Sequence, residues 1–334
     1  PTDGLDVTGA RPLAGNEAGA LVQGLHQPNG TGEVTKIPTA AISVGEDMYM
    51  RIMSVHDWNA PGGWTTNYSA LVKSTDGGNT WKIVPGSLRR MNDFQTWGPG
   101  IEFTDPDAEL PAPDPTRWRG MQMSAFLEAD GYLYEYMTPS GRSGPATVAR
   151  VPLTEIEDPT AYTWLASNGT WSDEPTGHVV LDGRVEELSV AYNEHLDQYV
   201  LLTSMATGVV SMRVAGSPEG PWSSPQTLVD RKMFPNAYAP MIHPSSITSE
   251  GPYLYYTLST WDAYNVFLLR TDLSQFNFTA PDTNPKTDVT ARVTVSDAVE
   301  SGAIDDSGRI DAQRLAEAAE QSPAAPEPET KPVG

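Results

Sequence analysis

The sequence predicts an all-β protein and, within that class, a β-propeller. The first observation is composition: glycine and proline occur 29 times each, tryptophan 9 times and tyrosine 13 times. Such usage is typical of many short strands joined by tight turns. The second is a unit of three strands that recurs along the chain at irregular intervals, as propeller blades do when long loops connect them.

Four copies of this unit are visible. In each, an apolar strand and a turn lead to an aromatic strand, and a third strand ends near a basic residue. The units open at IPTAAISVG, MQMSAFLEADG, EELSVAYNE and MIHPSSITS, and their third strands end near Lys73, Arg150, Arg213 and Arg270. Opening strands this apolar are expected of inner strands packed on both faces. A β-sandwich with long loops is the alternative, but a sandwich does not require the unit to recur.

Composition divides the chain into three parts. Residues 1–34 are predicted to be an irregular lead-in or the remnant of a first blade, and residues 35–294 to be the propeller domain. Residues 295–334 form an acidic Ala/Pro-rich tail with one short helix, from Ala312 to Gln321, and are otherwise predicted to be disordered. The chain starts at Pro1 without a leader segment, so we interpret it as a processed chain or a fragment.

Charge and residue content exclude several classes of function. The net charge of −22 disfavours binding to nucleic acid or to an anionic membrane surface. No apolar run approaches the roughly 18 residues of a membrane span. The absence of cysteine excludes disulfides, thiolate metal sites and cysteine nucleophiles. Because no metal-spaced His/Asp set or phosphate-binding glycine loop is present, no metal and no cofactor are expected.

Residues 74–81, STDGGNTW, predict a tight turn. An aspartate can satisfy turn amides, and glycine permits a positive φ. The spacing of Ser74, Asp76, Gly78 and Trp81 resembles the Asp box of sialidase-type propellers, a hairpin between two strands of a blade. The resemblance implies an architectural role outside the central channel, with the tryptophan packed between sheets.

Candidate site residues follow from the alignment of the inner strands. Gln122, Glu187 and His243 occupy the aligned starts of the second, third and fourth units, so we predict that they share one rim of the channel. An amide, a carboxylate and an imidazole suit a polyhydroxylated ligand. Glu187, beside an apolar strand, is the candidate catalytic residue. The alternative is structural: Gln122 and His243 satisfy strand or loop ends, and Glu187 pairs with a buried cation.

Two clusters that follow second strands are predicted to bind the same ligand. Their aromatic rings can stack on sugar faces, and their amides and carboxylates can bond hydroxyls. The candidates are Asp57, Trp58, Asn67 and Tyr68 in the first unit, and Trp261, Asp262, Tyr264 and Asn265 in the fourth. Packing between blades and capping of turns are the alternatives.

Five stretches, in order, resemble one family: GEVTKIPTAAISVG, WTTNYSALVKSTDGGNTW, EELSVAYNEHLDQYVL, AGSPEGPWSSPQTLV and TLSTWDAYNVFLLRTDL. They are similar to the actinobacterial cell-envelope endo-D-arabinanases, formerly described as a domain of unknown function, which have a five-bladed propeller. The resemblance implies a secreted or envelope glycoside hydrolase that cuts α-D-arabinofuranosyl linkages of arabinogalactan or lipoarabinomannan with paired carboxylates.

The chain departs from this family at its start. Family members carry a further N-terminal segment that supplies a first blade and acidic residues central to catalysis, whereas four units are visible here. The resemblance therefore implies that part of the catalytic pair lies upstream of this sequence. A non-catalytic carbohydrate-binding or structural propeller of the envelope is the alternative function, since it would use the same rim aromatics.

Overall fold

Four sheets, formed one after another along the chain, make up the described part of the protein. The computed structural model describes residues 22–59, 62–94, 101–103, 109–205, 209–244, 251–261, 265–276 and 293–304, and a few positions between 311 and 318. Neighbouring strands are antiparallel in every sheet, except that β6 runs parallel to β4 in the first.

The strands follow chain order from sheet to sheet. The first sheet contains β1 (Thr35–Val44), β2 (Asp47–Asp57), β3 (Thr65–Ser74), β4 (Trp81–Ile83), β5 (Arg89–Arg90) and β6 (Ile101–Phe103). A short helix, α1 (Pro115–Trp118), precedes the second sheet, which contains β7 (Met123–Ala129), β8 (Tyr132–Thr138), β9 (Thr147–Pro152), β10 (Thr163–Leu165) and β11 (Trp171–Ser172). The third contains β12 (Leu188–Asn193), β13 (Gln198–Met205), β14 (Val209–Ala215) and β15 (Gln226–Val229). The fourth contains β16 (Ala237–Ile242), β17 (Tyr253–Thr260), β18 (Asn265–Asp272) and β19 (Val293–Thr294), and α2 (Val295–Glu300) follows it.

The arrangement is that of four propeller blades. The inner strands β1, β7, β12 and β16 lie side by side in that order. Apolar side chains fill the spaces between successive sheets, with separate clusters between the first and second, second and third, and third and fourth. The predicted all-β propeller is confirmed.

The basic residues that marked the repeat lie opposite the second strand of each sheet. Lys73 pairs across strands with Tyr49, Arg150 with Tyr134, and Arg270 with Tyr255. The Lys73 ammonium lies 5.6 Å from the centre of the Tyr49 ring, within the range of a cation–π interaction. In these three sheets the cation therefore lies opposite an aromatic residue, whereas Arg213 of the third sheet pairs with Leu201.

The STDGGNTW turn joins the antiparallel strands β3 and β4. The Asp76 carboxylate accepts hydrogen bonds from the Thr80 amide at 2.9 Å and the Thr80 hydroxyl at 2.7 Å. Gly78 has a φ of 86°, and its carbonyl accepts a bond from the indole of the buried Trp81. The segment is thus a hairpin between outer strands of one blade, with its side chains occupied in holding the turn. The assignment of these residues as an Asp box stays a prediction.

The fourth unit begins earlier than the sequence predicted. Its inner strand is AYAPMI, from Ala237 to Ile242, and not the MIHPSSI segment. Pro240 and a register shift between Tyr238 and Met241 interrupt the period-2 pattern that marks a strand. His243 therefore follows β16 instead of standing at its start.

Part of the predicted tail packs on the fourth sheet. Ala298, Ala303 and Ile304 are buried against Tyr255 and Leu268. Most of the predicted helix from Ala312 to Gln321 lies outside the described residues, as do residues 1–21 of the predicted lead-in.

Candidate functional site

One edge of the sheets contains both the starts of the inner strands and the loops that join second to third strands. Thr35 at the start of β1 pairs with Val55 near the end of β2, and Ala237 at the start of β16 pairs with Thr260 at the end of β17. In antiparallel sheets, the starts of inner strands therefore share one edge with the loops that join second to third strands. We call this edge the upper face.

Arg142 occupies the centre of the upper face. It ends a 3-10 helix, Ser140–Arg142, in the loop between β8 and β9, and has a φ of 52°. Its neighbour Gly141 has a φ of 68°, and a Cβ there would lie 2.6 Å from the carbonyl oxygen of Trp64, so only glycine fits. The guanidinium lies 5.2 Å from the Trp64 ring centre and 5.8 Å from that of Tyr238. The first, second and fourth sheets thus meet at this arginine.

The third sheet contributes two adjacent carboxylates just before β12. Arg142 donates from Nη2 to Oε1 of Glu187 at 2.6 Å and from Nε to Oε2 at 3.3 Å. The Ser204 hydroxyl also donates to Oε2 of Glu187, at 3.1 Å. Glu186 Oε2 lies 3.8 Å from Nε of the same arginine. Two carboxylates therefore share one guanidinium.

The two carboxylates differ in their surroundings. The Glu187 side chain is 23% exposed, whereas that of Glu186 is 8% exposed. Burial raises the pKa of the Glu186 carboxyl, which the arginine charge counteracts only in part and the charge of Glu187 reinforces. Unequal environments of this kind let one carboxyl hold a proton while its neighbour carries charge.

Replacing Glu186 with glutamine is expected to stabilise the protein at neutral and higher pH. Because the pKa of Glu186 is raised in the folded protein, folding favours the protonated carboxyl over the carboxylate. The stability of the protein is therefore unaffected by this group at low pH, where it is protonated in both states, and decreases as the pH rises and the carboxyl ionises. We expect E186Q to have a higher Tm than the wild type at pH 8 and the same Tm at pH 4. Thermal melts across this range test it, with E194Q, on an exposed turn, as control. A lower Tm for E186Q at pH 8 would contradict it.

Two predicted sugar-binding groups lie on the upper face in the first blade. Trp58 is 43% exposed, and its ring stands edge-on to that of Trp64 at 5.6 Å. The Asp57 carboxylate accepts a bond from the Asn29 side chain at 2.6 Å. Trp58 is thus open to solvent and separated from Arg142 by the Trp64 ring, and Asp57 precedes it in the chain.

The fourth blade places two further candidates on the same face. Trp261 is 57% exposed, and its amide donates to the carbonyl of Asn236 at 3.2 Å. Asn265 is exposed at the start of β18, opposite Thr260. Asp262 and Tyr264 lie outside the described residues.

Gln122 is not available to a ligand. It precedes β7 as Glu187 precedes β12, but its side chain is fully buried. Its carbonyl accepts from the Thr66 hydroxyl at 2.7 Å, and its amide donates to the carbonyls of Trp118 and Arg89. The structure corrects the binding assignment, because these bonds use the amide to join α1 to the first sheet.

Asn67 and Tyr68 are also structural. The Asn67 amide donates to the Gly32 carbonyl and the Ser54 hydroxyl, both at 3.0 Å, and the side chain is buried. The Tyr68 ring lies in the core of the first sheet, with its hydroxyl 3.4 Å from the buried Glu33 carboxylate. Neither side chain faces solvent, so the predicted contact of these two residues with sugar is wrong.

His243 lies at the opposite end of an inner strand from the rim. It follows β16, its amide donates to the Tyr255 carbonyl at 2.9 Å, and its side chain is buried. The predicted site of Gln122, Glu187 and His243 is therefore not assembled, and Glu187 alone of the three reaches the centre of the upper face. Burial lowers the pKa of His243 to about 4.

This histidine is expected to make the protein sensitive to acid. The unfolded chain protonates it below about pH 6.5, while the fold keeps it neutral until about pH 4, so stability falls as the pH drops through this window. The loss approaches about 3 kcal/mol at pH 4. Denaturation of wild type and H243Q between pH 7.5 and 4 should show a smaller loss in the variant. Replacing the exposed His195 instead should not change the slope, and parallel profiles for wild type and H243Q would refute the expectation.

Sequence reasoning missed four members of the site: Arg142, Glu186, Ser204 and Tyr238. The signal available for Arg142 was the SGRSG segment, whose glycines permit a left-handed turn. Glu186 was visible only as the partner of Glu187 in an EE pair. Within the described ranges, no cluster of His, Asp and Glu could hold a metal ion, and no helix is long and apolar enough to cross a membrane.

The fold and site define a β-propeller whose upper face combines paired carboxylates, an arginine and exposed tryptophans. The chain belongs to the family described as Domain of unknown function (DUF4185), whose model matches residues 1–270. It is 29% identical over 239 residues to notoamide biosynthesis cluster protein J of an Aspergillus strain, covering 70% of this chain and 57% of that protein. An uncharacterized 35.9 kDa protein of Mycolicibacterium smegmatis is 27% identical over 203 residues, covering 58% of this chain and 52% of that one. The chain thus spans about half the length of the curated relatives it matches.

Similar solved structures are more distant. An arabinanase from Bacillus subtilis has 13% identity and a TM-score of 0.43, over 77% of this chain and 78% of that chain. A family 117 glycoside hydrolase from Zobellia galactanivorans has 15% identity and a TM-score of 0.40, over 75% and 70%. Similarities at this level assign neither activity nor substrate.

Proposed function

We propose that this protein is a glycoside hydrolase that cuts within chains of α-D-arabinofuranosyl residues, acting outside the cell or in its envelope. The observation that carries the chemistry is the pair of adjacent carboxylates, Glu186 and Glu187, within 4 Å of one nitrogen of Arg142. The substrate rests on the five motifs that resemble the endo-D-arabinanases.

Each carboxylate suits one of the roles that glycoside hydrolysis requires. One carboxylic acid protonates the leaving oxygen, and a carboxylate attacks the anomeric carbon or activates water. The buried Glu186, whose pKa is raised, is the group that can deliver a proton. Glu187 is the more exposed and is oriented by the bidentate contact with Arg142.

The alternative is a carbohydrate-binding propeller without catalysis. One observation favours it: Glu187 already accepts bonds from Nε and Nη2 of Arg142 and from the Ser204 hydroxyl. A carboxylate that already accepts this many bonds has fewer lone pairs left to engage a sugar. The same residues would still bind sugar hydroxyls through Arg142 and the rim aromatics.

Incubation of the full natural protein with purified arabinogalactan and lipoarabinomannan, followed by sizing of the products, separates the two. Release of short arabinose oligosaccharides, absent with xylan and galactan, supports the hydrolase. Binding to arabinogalactan with no release of oligosaccharides favours the binding protein.

A further inference from the structure

We propose that Trp58 and Trp261 are two stacking platforms on either side of Arg142, forming a cleft that binds several consecutive residues of a linear sugar chain. The class of ligand rests on the proposed function, but the inference concerns binding and does not require that the chain be cut. It predicts that affinity depends on the length of the oligosaccharide.

Trp58 is exposed and yet held in place. The Asn29 side chain accepts a bond from the Trp58 amide at 2.7 Å and donates to the Trp58 carbonyl at 3.3 Å and to Asp57 at 2.6 Å. The edge-on contact with the buried Trp64 fixes the ring from the other side. A large apolar ring that is both exposed and ordered is prepared for a ligand, because little further freedom is lost on binding.

Trp58 is connected to the carboxylate of Glu187 through Trp64 and Arg142. Trp64, which supports Trp58, lies 5.2 Å from the guanidinium of Arg142. That guanidinium contacts Glu187 at 2.6 Å. A sugar stacked on Trp58 is therefore separated from the carboxylates by one ring and one side chain.

On the other side of Arg142, residues of the fourth blade extend the line formed by Trp58, Trp64 and Arg142. We call this line of side chains the row. Tyr238 lies 5.8 Å from the guanidinium, and two residues before it Asn236 accepts a bond from the Trp261 amide. Trp261 has the greatest exposure among the large apolar side chains of the described residues. The exposed Asn265 begins the strand that faces the end of β17, just before Trp261.

Both ends of the row have the chemistry of a sugar subsite. An indole face accepts the C–H face of a sugar ring, and a nearby carboxylate or amide takes its hydroxyls, as Asp57 and Asn265 can. The row runs from the first sheet to the fourth across the centre. Because the two tryptophans belong to the first and the fourth blade, with Trp64, Arg142 and Tyr238 between them, we expect that only a chain of several sugar residues contacts both.

Calorimetric titration with α-D-arabinofuranosyl oligosaccharides of defined length tests the cleft. All variants carry E187Q so that ligand is not consumed. We expect W58A and W261A each to weaken binding of an octasaccharide about tenfold and to change disaccharide affinity less than about twofold, since a tenfold loss corresponds to one stacking contact. W58F, which keeps an aromatic face, should recover most of the loss. N29A should weaken octasaccharide binding in the same direction as W58A.

The control is Y192A, a half-buried tyrosine at the end of β12 away from the upper face, which should bind both ligands as its parent does. Unchanged octasaccharide affinity in both tryptophan variants overturns the cleft, as does equal loss for both lengths or no binding of any oligosaccharide. Cleavage is measured separately on proteins that keep Glu187. Tryptophan-dependent binding together with no cleavage by the protein that keeps Glu187 leaves the cleft standing and removes the hydrolase. Unchanged octasaccharide binding in the tryptophan variants, together with cleavage by W58A and W261A at the wild-type rate, removes the cleft and leaves the hydrolase standing.

Discussion

Replacing Glu187 with glutamine is expected to lower kcat/KM for arabinan by about 10²-fold or more, the effect of losing an acid–base group. Glutamine cannot carry the charge that the reaction requires, although it keeps the shape of the side chain and can accept bonds from Arg142 and Ser204. Breaking a fully buried ion pair costs about 3–5 kcal/mol, and the partial exposure of this pair places the expected stability loss below that range. Kinetics and thermal melting of the same variant give both quantities.

The matched control is E157Q on the opposite side of the molecule. Glu157 also pairs with a cation, its Oε1 lying 2.6 Å from Lys73 Nζ, but it is remote from Arg142. This variant should leave turnover unchanged. Normal turnover by E187Q together with a lowered Tm would show that Glu187 serves only to join the second and third blades.

Replacing Glu135 with glutamine is expected to destabilise the protein by about 3–5 kcal/mol. Glu135, in β8, is fully buried and accepts two bonds of 2.8 Å from Arg89 and two, of 3.1 and 3.2 Å, from Arg51. Burial alone would raise the pKa of Glu135, but the two arginines outweigh it and hold that pKa well below its usual range. The variant therefore leaves two buried guanidinium groups without a counter-charge.

Urea denaturation measures this loss. A triple variant, R51M/R89L/E135L, serves as control: removing all three charges should recover much of the stability, because apolar side chains of similar volume avoid the cost of desolvation. A loss below about 1 kcal/mol in E135Q would show that water or other groups take over the role of the carboxylate.

The first three units could be predicted from sequence because each inner strand is apolar and each hairpin turn is short. Asp130 and Gly131, for example, join β7 to β8 directly, so the register of the sheet follows from the pattern. The start of the fourth unit was predicted wrongly because Pro240 interrupts the strand pattern within β16. The apolar residues Met241 and Ile242, which end this strand, resemble the start of one. The sequence pattern therefore wrongly places the turn-forming HPSS segment within the opening strand, which ends at Ile242.

The site was less predictable than the fold. Glu187 was found because a carboxylate beside an apolar strand requires an explanation. Arg142 lies in a turn 45 residues earlier in the chain, and no periodicity connects the two. Gln122 and Asn67 were assigned to the ligand because sequence does not reveal which polar groups are covered by distant segments. In both cases the missing information was the contact between blades.

The position of Arg142 has a consequence for the order of folding. Each blade can form its hairpins from local contacts, but the centre requires a side chain from each of the four sheets, and such non-local contacts form only after the intervening loops have closed. Local opening of one blade would dismantle the centre while the other three sheets remain intact. Ligand recognition thus requires all four sheets to be assembled. It is the last property regained on refolding, and on unfolding it is lost before the strands come apart.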